Sequence, residues 1–196
     1  HIGDRRQRQM CIRDRIIGSV SENKDTEKRI SVTPENVKKY ISNGFKVYLE
    51  KNYGQHLDII DEKFSENGAE FFSDKKKIIK ESDILLQLNL PNEEDLKNLS
   101  PKNNLIGVFD PVNNKDLISK ISRNNINVFS LELLPRITRA QSMDILSSQA
   151  NLAGYKAVVD AFSYFNKAIP MMMTAAGTIP AAKVLVVGAG VAGLQA

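Results

Sequence analysis

The spacing of apolar residues changes along the chain, and each change marks a new element. Ile16, Ile17 and Val20 form a short apolar run over 16–20, suited to a buried strand. A polar, charged loop fills 21–28. Thr33-Pro34-Glu35 then opens a helix: Thr33 suits the N-cap, Pro34 the first helical position and Glu35 the positive helix end. Val37, Tyr40 and Ile41 share one face, and Gly44 suits the stop. Further strands are predicted over 45–50, 69–72, 84–88, 105–109 and 128–131, with helices over 61–67, 75–81, 93–99 and 115–123. Strand follows helix every roughly 15 to 30 residues, a rhythm that argues for right-handed βαβ units and a mainly parallel sheet.

After Leu131 the pattern changes. A polar loop over 132–141 leads into a long helix, 143–165, carrying Ala150, Ala153, Gly154, Ala157 and Ala161. These small residues at helical spacing let another element approach closely, and the helix is expected to bridge two domains. A linker over 166–182 contains Pro170, Gly177 and Pro180. The apolar run Lys183-Val-Leu-Val-Val then feeds into Gly188-Ala-Gly190-Val-Ala-Gly193. That pattern fits the first strand and turn of a dinucleotide-binding unit; the alternative is an ordinary glycine-rich turn from strand to helix. Gly188 permits the tight turn, Gly190 lets backbone approach a pyrophosphate, and Gly193 lets the next helix pack on the strand. Val191 and Ala192 complete the turn. The acidic residue about 20 positions further on, which would hold a ribose, falls beyond Ala196. The chain is therefore expected to be a fragment, and inactive by itself.

The predicted fold class is α/β: a Rossmann-like parallel-sheet domain with helices on both faces, plus the truncated start of a second Rossmann NAD-binding domain. The expected division is 1–15 a non-native or disordered tail, 16–141 an N-terminal subdomain, 142–182 the long helix and linker, and 183–196 the incomplete second unit. Composition adds exclusions. Hydrophobic residues at 42% and charged residues at 26% are those of a globular protein. The single Cys11 rules out a disulfide framework. Nothing reads as a secretory signal or as the roughly 20 apolar residues of a membrane span. Three of the four net positive charges come from residues 1–15, which resemble translated sequencing-adapter sequence. The basic balance is accordingly not read as nucleic-acid binding.

Candidate chemistry concentrates in Leu134-Pro-Arg136-Ile137-Thr138-Arg139-Ala-Gln141-Ser142-Met-Asp144, followed by Ser147. Asp144 and Ser147, three apart, face one side of the first helical turn. The Gln141 amide can pair with a carboxamide, and Arg136 offers a planar fork of donors. Such groups suit a ribose and nicotinamide; equally, Ser142 or Asp144 could simply cap the helix. His56 stands alone, the methionines 171–173 suit soft packing, and no metal-ligand spacing, serine elbow or phosphate-loop lysine appears.

Arg136-Ile-Thr-Arg-Ala-Gln-Ser-Met-Asp144, Ser148-Gln-Ala-Asn-Leu-Ala-Gly-Tyr155, Thr174-Ala-Ala-Gly177, Gly188-Ala-Gly-Val-Ala-Gly-Leu194 and Arg29-Ile-Ser-Val-Thr33-Pro34 resemble the alpha subunit of proton-translocating NAD(P) transhydrogenase. The resemblance covers about residues 16–196 and is most specific near 134–155. It implies a homodimer of two-subdomain protomers that binds NAD(H) in the cleft between subdomains. Hydride would pass directly to NADP+ on an NADP(H)-binding partner component, coupled to proton movement through a membrane proton-channel component. The location implied is cytoplasmic, peripheral on the inner face of the cell membrane. Arg136, Gln141 and Asp144 would be the catalytic set, with Arg136, Ile137, Thr138, Arg139, Gln141, Asp144, Ser147, Gly188, Gly190, Val191, Ala192 and Gly193 binding cofactor and no metal involved.

Two rivals compete. An alanine or saccharopine dehydrogenase-like enzyme needs a substrate-side Lys and a His, but 86–91 and 108–112 contain neither. A non-catalytic dinucleotide-binding module is the other.

Overall fold

A computed structural model of the chain describes residues 15–196; the basic tail and Cys11 lie outside the described residues. Arg15, grouped with the tail on sequence, takes part in the fold. Its carbonyl accepts from Lys46 N at 3.0 Å and its guanidinium lies 3.2 Å from Asp83.

Two compact units divide the chain between Leu133 and Leu134. In the first, every predicted strand and helix is present. The strands are β1 (Ile16–Ser19), β2 (Lys46–Glu50), β3 (Ala69–Phe72), β4 (Ile84–Leu86), β5 (Asn104–Gly107) and β6 (Asn127–Ser130). They form one sheet in the order β3-β2-β1-β4-β5-β6, with every neighbouring pair parallel. This is the doubly wound order, with its switch point between β1 and β4. The helices are α1 (Pro34–Ser42), α2 (Asp61–Ser65), α3 (Lys75–Glu81), α4 (Glu93–Leu96) and α5 (Lys115–Arg123). Thr33 caps α1 as expected, its hydroxyl accepting from Asn36 N at 3.4 Å, and Pro34 is the first helical residue.

The core has two parts because successive strand residues point to opposite faces. Val47 and Leu49 join Val32, Val37, Tyr53 and Phe64 in one cluster, under α1 and α2. Leu85 and Leu105 join Ile78, Ile79 and Phe109 in the other, under α3, with Ile118 of α5 packed against it. Tyr53 adds a polar hub at the end of β1. Its hydroxyl accepts from Ser31 N at 3.1 Å and Val32 N at 3.3 Å, and lies 2.8 Å from Ser19 Oγ.

The second unit consists of short 3-10 turns over Thr138–Met143, the helix α6 (Ile145–Tyr164), an antiparallel hairpin of β7 (Met172–Thr174) and β8 (Gly177–Ile179), and the short helix α7 (Val191–Gln195). Two features differ from the sequence prediction. The hairpin lies inside the stretch predicted as linker. Thr174 pairs with Gly177, whose φ of +130° suits a tight turn, and the Thr174 hydroxyl donates to the Gly177 carbonyl. The predicted strand over 183–187 has no ladder, since no neighbouring strand among the described residues offers its backbone partners.

Candidate functional site

The polar loop is built around one buried residue. Ala140 is turned inward, and its N–H donates to the Ile137 carbonyl at 2.9 Å. Arg136, Ile137, Thr138, Arg139 and Gln141 on either side are exposed. Asp144 closes the turn, its N–H reaching the Gln141 carbonyl, and caps α6: Ser147 N donates to Oδ1 at 3.0 Å and Ser147 Oγ to Oδ2 at 2.7 Å. The Ser147 backbone N–H, then its hydroxyl, hold the Asp144 carboxyl below the usual carboxylate range, and the Arg136 charge adds to this. Both readings of Asp144 survive, because a cap consumes part of its accepting capacity and leaves lone pairs over. Arg136, Asp144 and Ser147 are thus brought into one corner. Gln141 is exposed, and its carboxamide makes no hydrogen bond to another described residue.

The glycine turn has a different construction. Gly188 sits at φ +120°, where a side chain would be strained. A Cβ at Gly193 would fall on the Gly188 carbonyl oxygen, so the turn closes only with glycine there. A Cβ at Gly190, the cap of α7, would meet nothing within 4 Å. The open space lies where the motif requires backbone to approach a phosphate. Val191 is exposed and Ala192 half-buried.

Loop and turn are attached to the same helix. The loop runs into α6 at Asp144. Further along α6, Gly154 is buried against Ala192, and Asn151 donates its side-chain N–H to Gln195 Oε1 at 2.9 Å. On sequence, Gly154 stood out as one small residue among five, and Asn151 only as part of the segment 148–155 that carries the resemblance. No short-range pattern could have paired them with residues some forty positions away.

At the carboxyl ends of β1 and β4 there is a second polar place, a cleft of about 320 Å³ lined by Glu22, Gln87, Asn89 and Asp95 among others. Its acids are already engaged. Glu22 accepts from Leu88 N at 2.6 Å, and Asp95 lies 3.0 Å from Lys75 Nζ. Glu27 holds Arg29 at 2.6 Å. The stretch 86–91, which lines part of this cleft, contains no lysine. Among the described residues no group of His, Cys, Asp and Glu could hold a metal.

A family model described as "Alanine dehydrogenase/PNT, N-terminal domain" matches residues 18–153, and its C-terminal-domain counterpart matches 157–196. The chain belongs to the alanine dehydrogenase/PNT family. Within that family it is similar to an NAD(P) transhydrogenase alpha subunit of Rhodospirillum rubrum, 39% identical over 180 residues, covering 89% of this chain and 47% of the relative. The solved transhydrogenase from Sinorhizobium meliloti superposes with a TM-score of 0.85 at 43% identity, covering 92% of this chain and 54% of that one. An alanine dehydrogenase of Methanococcus maripaludis is more distant, 24% identical over 184 residues, covering 92% of this chain and 49% of that protein. The chain spans about half the length of the curated relatives it matches.

Proposed function

We propose that this chain belongs to the NAD(H)-binding component of a proton-translocating transhydrogenase, with hydride passing directly between NADH and NADP+ held on a partner component. The observation that carries the reading is the joint attachment of the polar loop, with exposed Arg136 and Gln141 and the cap Asp144, and of the glycine turn to one helix. In this assignment both coenzymes are substrates, and the dihydronicotinamide supplies the reducing power. The chain's own residues bind and orient. Gln141 would pair with the nicotinamide carboxamide through both ends of its amide. Arg136 and the residual lone pairs of Asp144 would fix the adjoining ribose, with Ser147 keeping Asp144 ionised. Ile137, Thr138 and Arg139 would line the loop. Gly188, Gly190, Val191, Ala192 and Gly193 would receive the pyrophosphate. No protein acid or base is needed; the rate comes from holding two rings in reacting orientation.

The same reading makes the component a homodimer, partnered by an NADP(H)-binding component and a membrane proton channel, and held peripherally at the inner face of the cell membrane. Among the described residues no helix is long and apolar enough to cross a membrane. The similarity to proteins named as one subunit of a transhydrogenase supports the partnership.

The test is Gln141→Asn in a polypeptide extended to the length of the relatives. The shorter side chain withdraws the amide by one methylene. Hydride transfer should fall about 100-fold while NADH affinity falls no more than about threefold. Equal loss of both would reduce Gln141 to a binding group and remove its orienting role.

A further inference from the structure

Gly154 seats the glycine turn at backbone distance. A Cβ there would strike the Ala192 carbonyl oxygen, with the Ala192 carbonyl carbon at 2.8 Å and its Cα at 3.0 Å. The obstacle is backbone, so no rotamer change would relieve it. Three residues earlier on the same helical face, Asn151 ties down the far end of α7 through Gln195, at 2.9 Å. Within α7, Gly193 rests against the Gly188 carbonyl, so the position of α7 fixes that of the whole turn. At the start of the same helix, Asp144 holds the end of the polar loop through Ser147. Asp144 and Gly154 lie about 15 Å apart along the axis, at roughly 1.5 Å per residue. The spacing between loop and turn is therefore set by one rigid rod and the closeness of one contact.

We infer that Gly154, assisted by Asn151, is a positioning residue: it fixes the separation between the glycine turn and the Arg136–Asp144 corner so that one dinucleotide reaches both. The inference rests on the cofactor reading given above. Its physical content is that of linked binding. Each half of the ligand binds weakly, and the second half gains only if the sites match the linker between the halves. Moving the turn away from α6 would leave each half-site intact and spoil the match.

The experiment compares wild type, Gly154→Ala and Asn151→Ala in a polypeptide of the relatives' length. The affinities of three ligands are measured: NADH, ADP, which lacks the nicotinamide and its ribose, and reduced nicotinamide mononucleotide, which lacks the adenosine half. G154A should weaken NADH about 10- to 100-fold while each half-ligand changes less than about twofold. N151A, which loses only the exposed hydrogen bond, should show the same pattern at about threefold. Unchanged NADH affinity in G154A, or equal loss for all three ligands, would overturn the inference. Should G154A fail to fold, N151A decides, and unchanged NADH affinity in it overturns the inference. A wild-type protein that binds no NADH would overturn the cofactor reading itself and this inference with it, an outcome distinct from a wild type that binds and a variant that does not differ.

Discussion

The two units use apolar residues in opposite ways. Up to Leu133 the large apolar side chains are mostly inside: Val37, Leu49, Phe64, Ile78, Leu85 and Leu105 are fully buried in the two layers around the parallel sheet. From Leu134 onward only Ala140 and Gly154 are buried, while Tyr155, Tyr164, Met173, Leu185 and Val187 stand exposed. The first unit is held by its own core. The second is held by caps, turns and backbone contacts: Asp144 on Ser147, Gly154 on Ala192, Thr174 on Gly177. The proposed chemistry lies wholly in this second unit. Geometry that depends on a few polar and glycine contacts can be altered without unfolding the sheet, and changes to the sheet core need not touch the site directly.

The largest test of this contrast is Phe64→Ala. Phe64 is fully buried and meets Tyr53 and Phe71 edge-on, with ring centroids 6.0 and 6.1 Å away. Its loss should cost about 3–5 kcal/mol in urea unfolding of the first unit. A cost below about 1 kcal/mol would mean that this core is not what holds the sheet. Next comes Tyr53→Phe, which removes the acceptor of two backbone N–H groups in a buried place. We expect about 1–3 kcal/mol, with the sheet intact by circular dichroism. No loss would show that the Ser31 and Val32 N–H groups find other acceptors once the hydroxyl is gone.

Smaller still is a pH effect. The Glu27 carboxyl is lowered from 4.5 to about 2, chiefly by the hydrogen bond from the Arg29 side chain. The folded pKa lies below the unfolded one, so this pair contributes stability above about pH 4.5, which fades as pH falls through about 2. After allowance for screening around Arg29, which is about half exposed, it amounts to about 1 kcal/mol. Glu27→Gln should flatten stability between those pH values; an unchanged slope would contradict the assignment. The smallest effect belongs to the second unit. Leu185, 87% exposed, should tolerate Leu185→Ala within about 0.5 kcal/mol of wild type. A loss comparable to that of Phe64→Ala would erase the distinction between the units.

The same contrast explains what could be read from residue order. In the first unit the strand and helix periods, the Thr33 cap and the doubly wound rhythm pointed to the observed sheet, because each signal is local and the core enforces it. In the second unit the loop and the glycine motif were recognisable by residue type. The hairpin was not: strands of three residues are shorter than the window in which alternation can be seen. The strand over 183–187 has the right composition, but a strand exists only by pairing, and composition cannot supply a neighbour. The docking of Gly154 on Ala192 was equally invisible, since it joins residues far apart in sequence through a contact with no side chain on one partner. Asp144 was readable as either a cap or a ligand; the geometry shows the cap and keeps the ligand role as a proposal.

The central claim is that the two segments attached to the second unit's helix, the loop at its start and the glycine turn at Gly154, serve one coenzyme. The most direct measurement follows the backbone amide resonances of Gln141 and Gly190 while NADH is titrated into a polypeptide of the relatives' length. The account predicts that both shift together along a single saturation curve. A shift at Gly190 with Gln141 unmoved, or two curves with different midpoints, would contradict it.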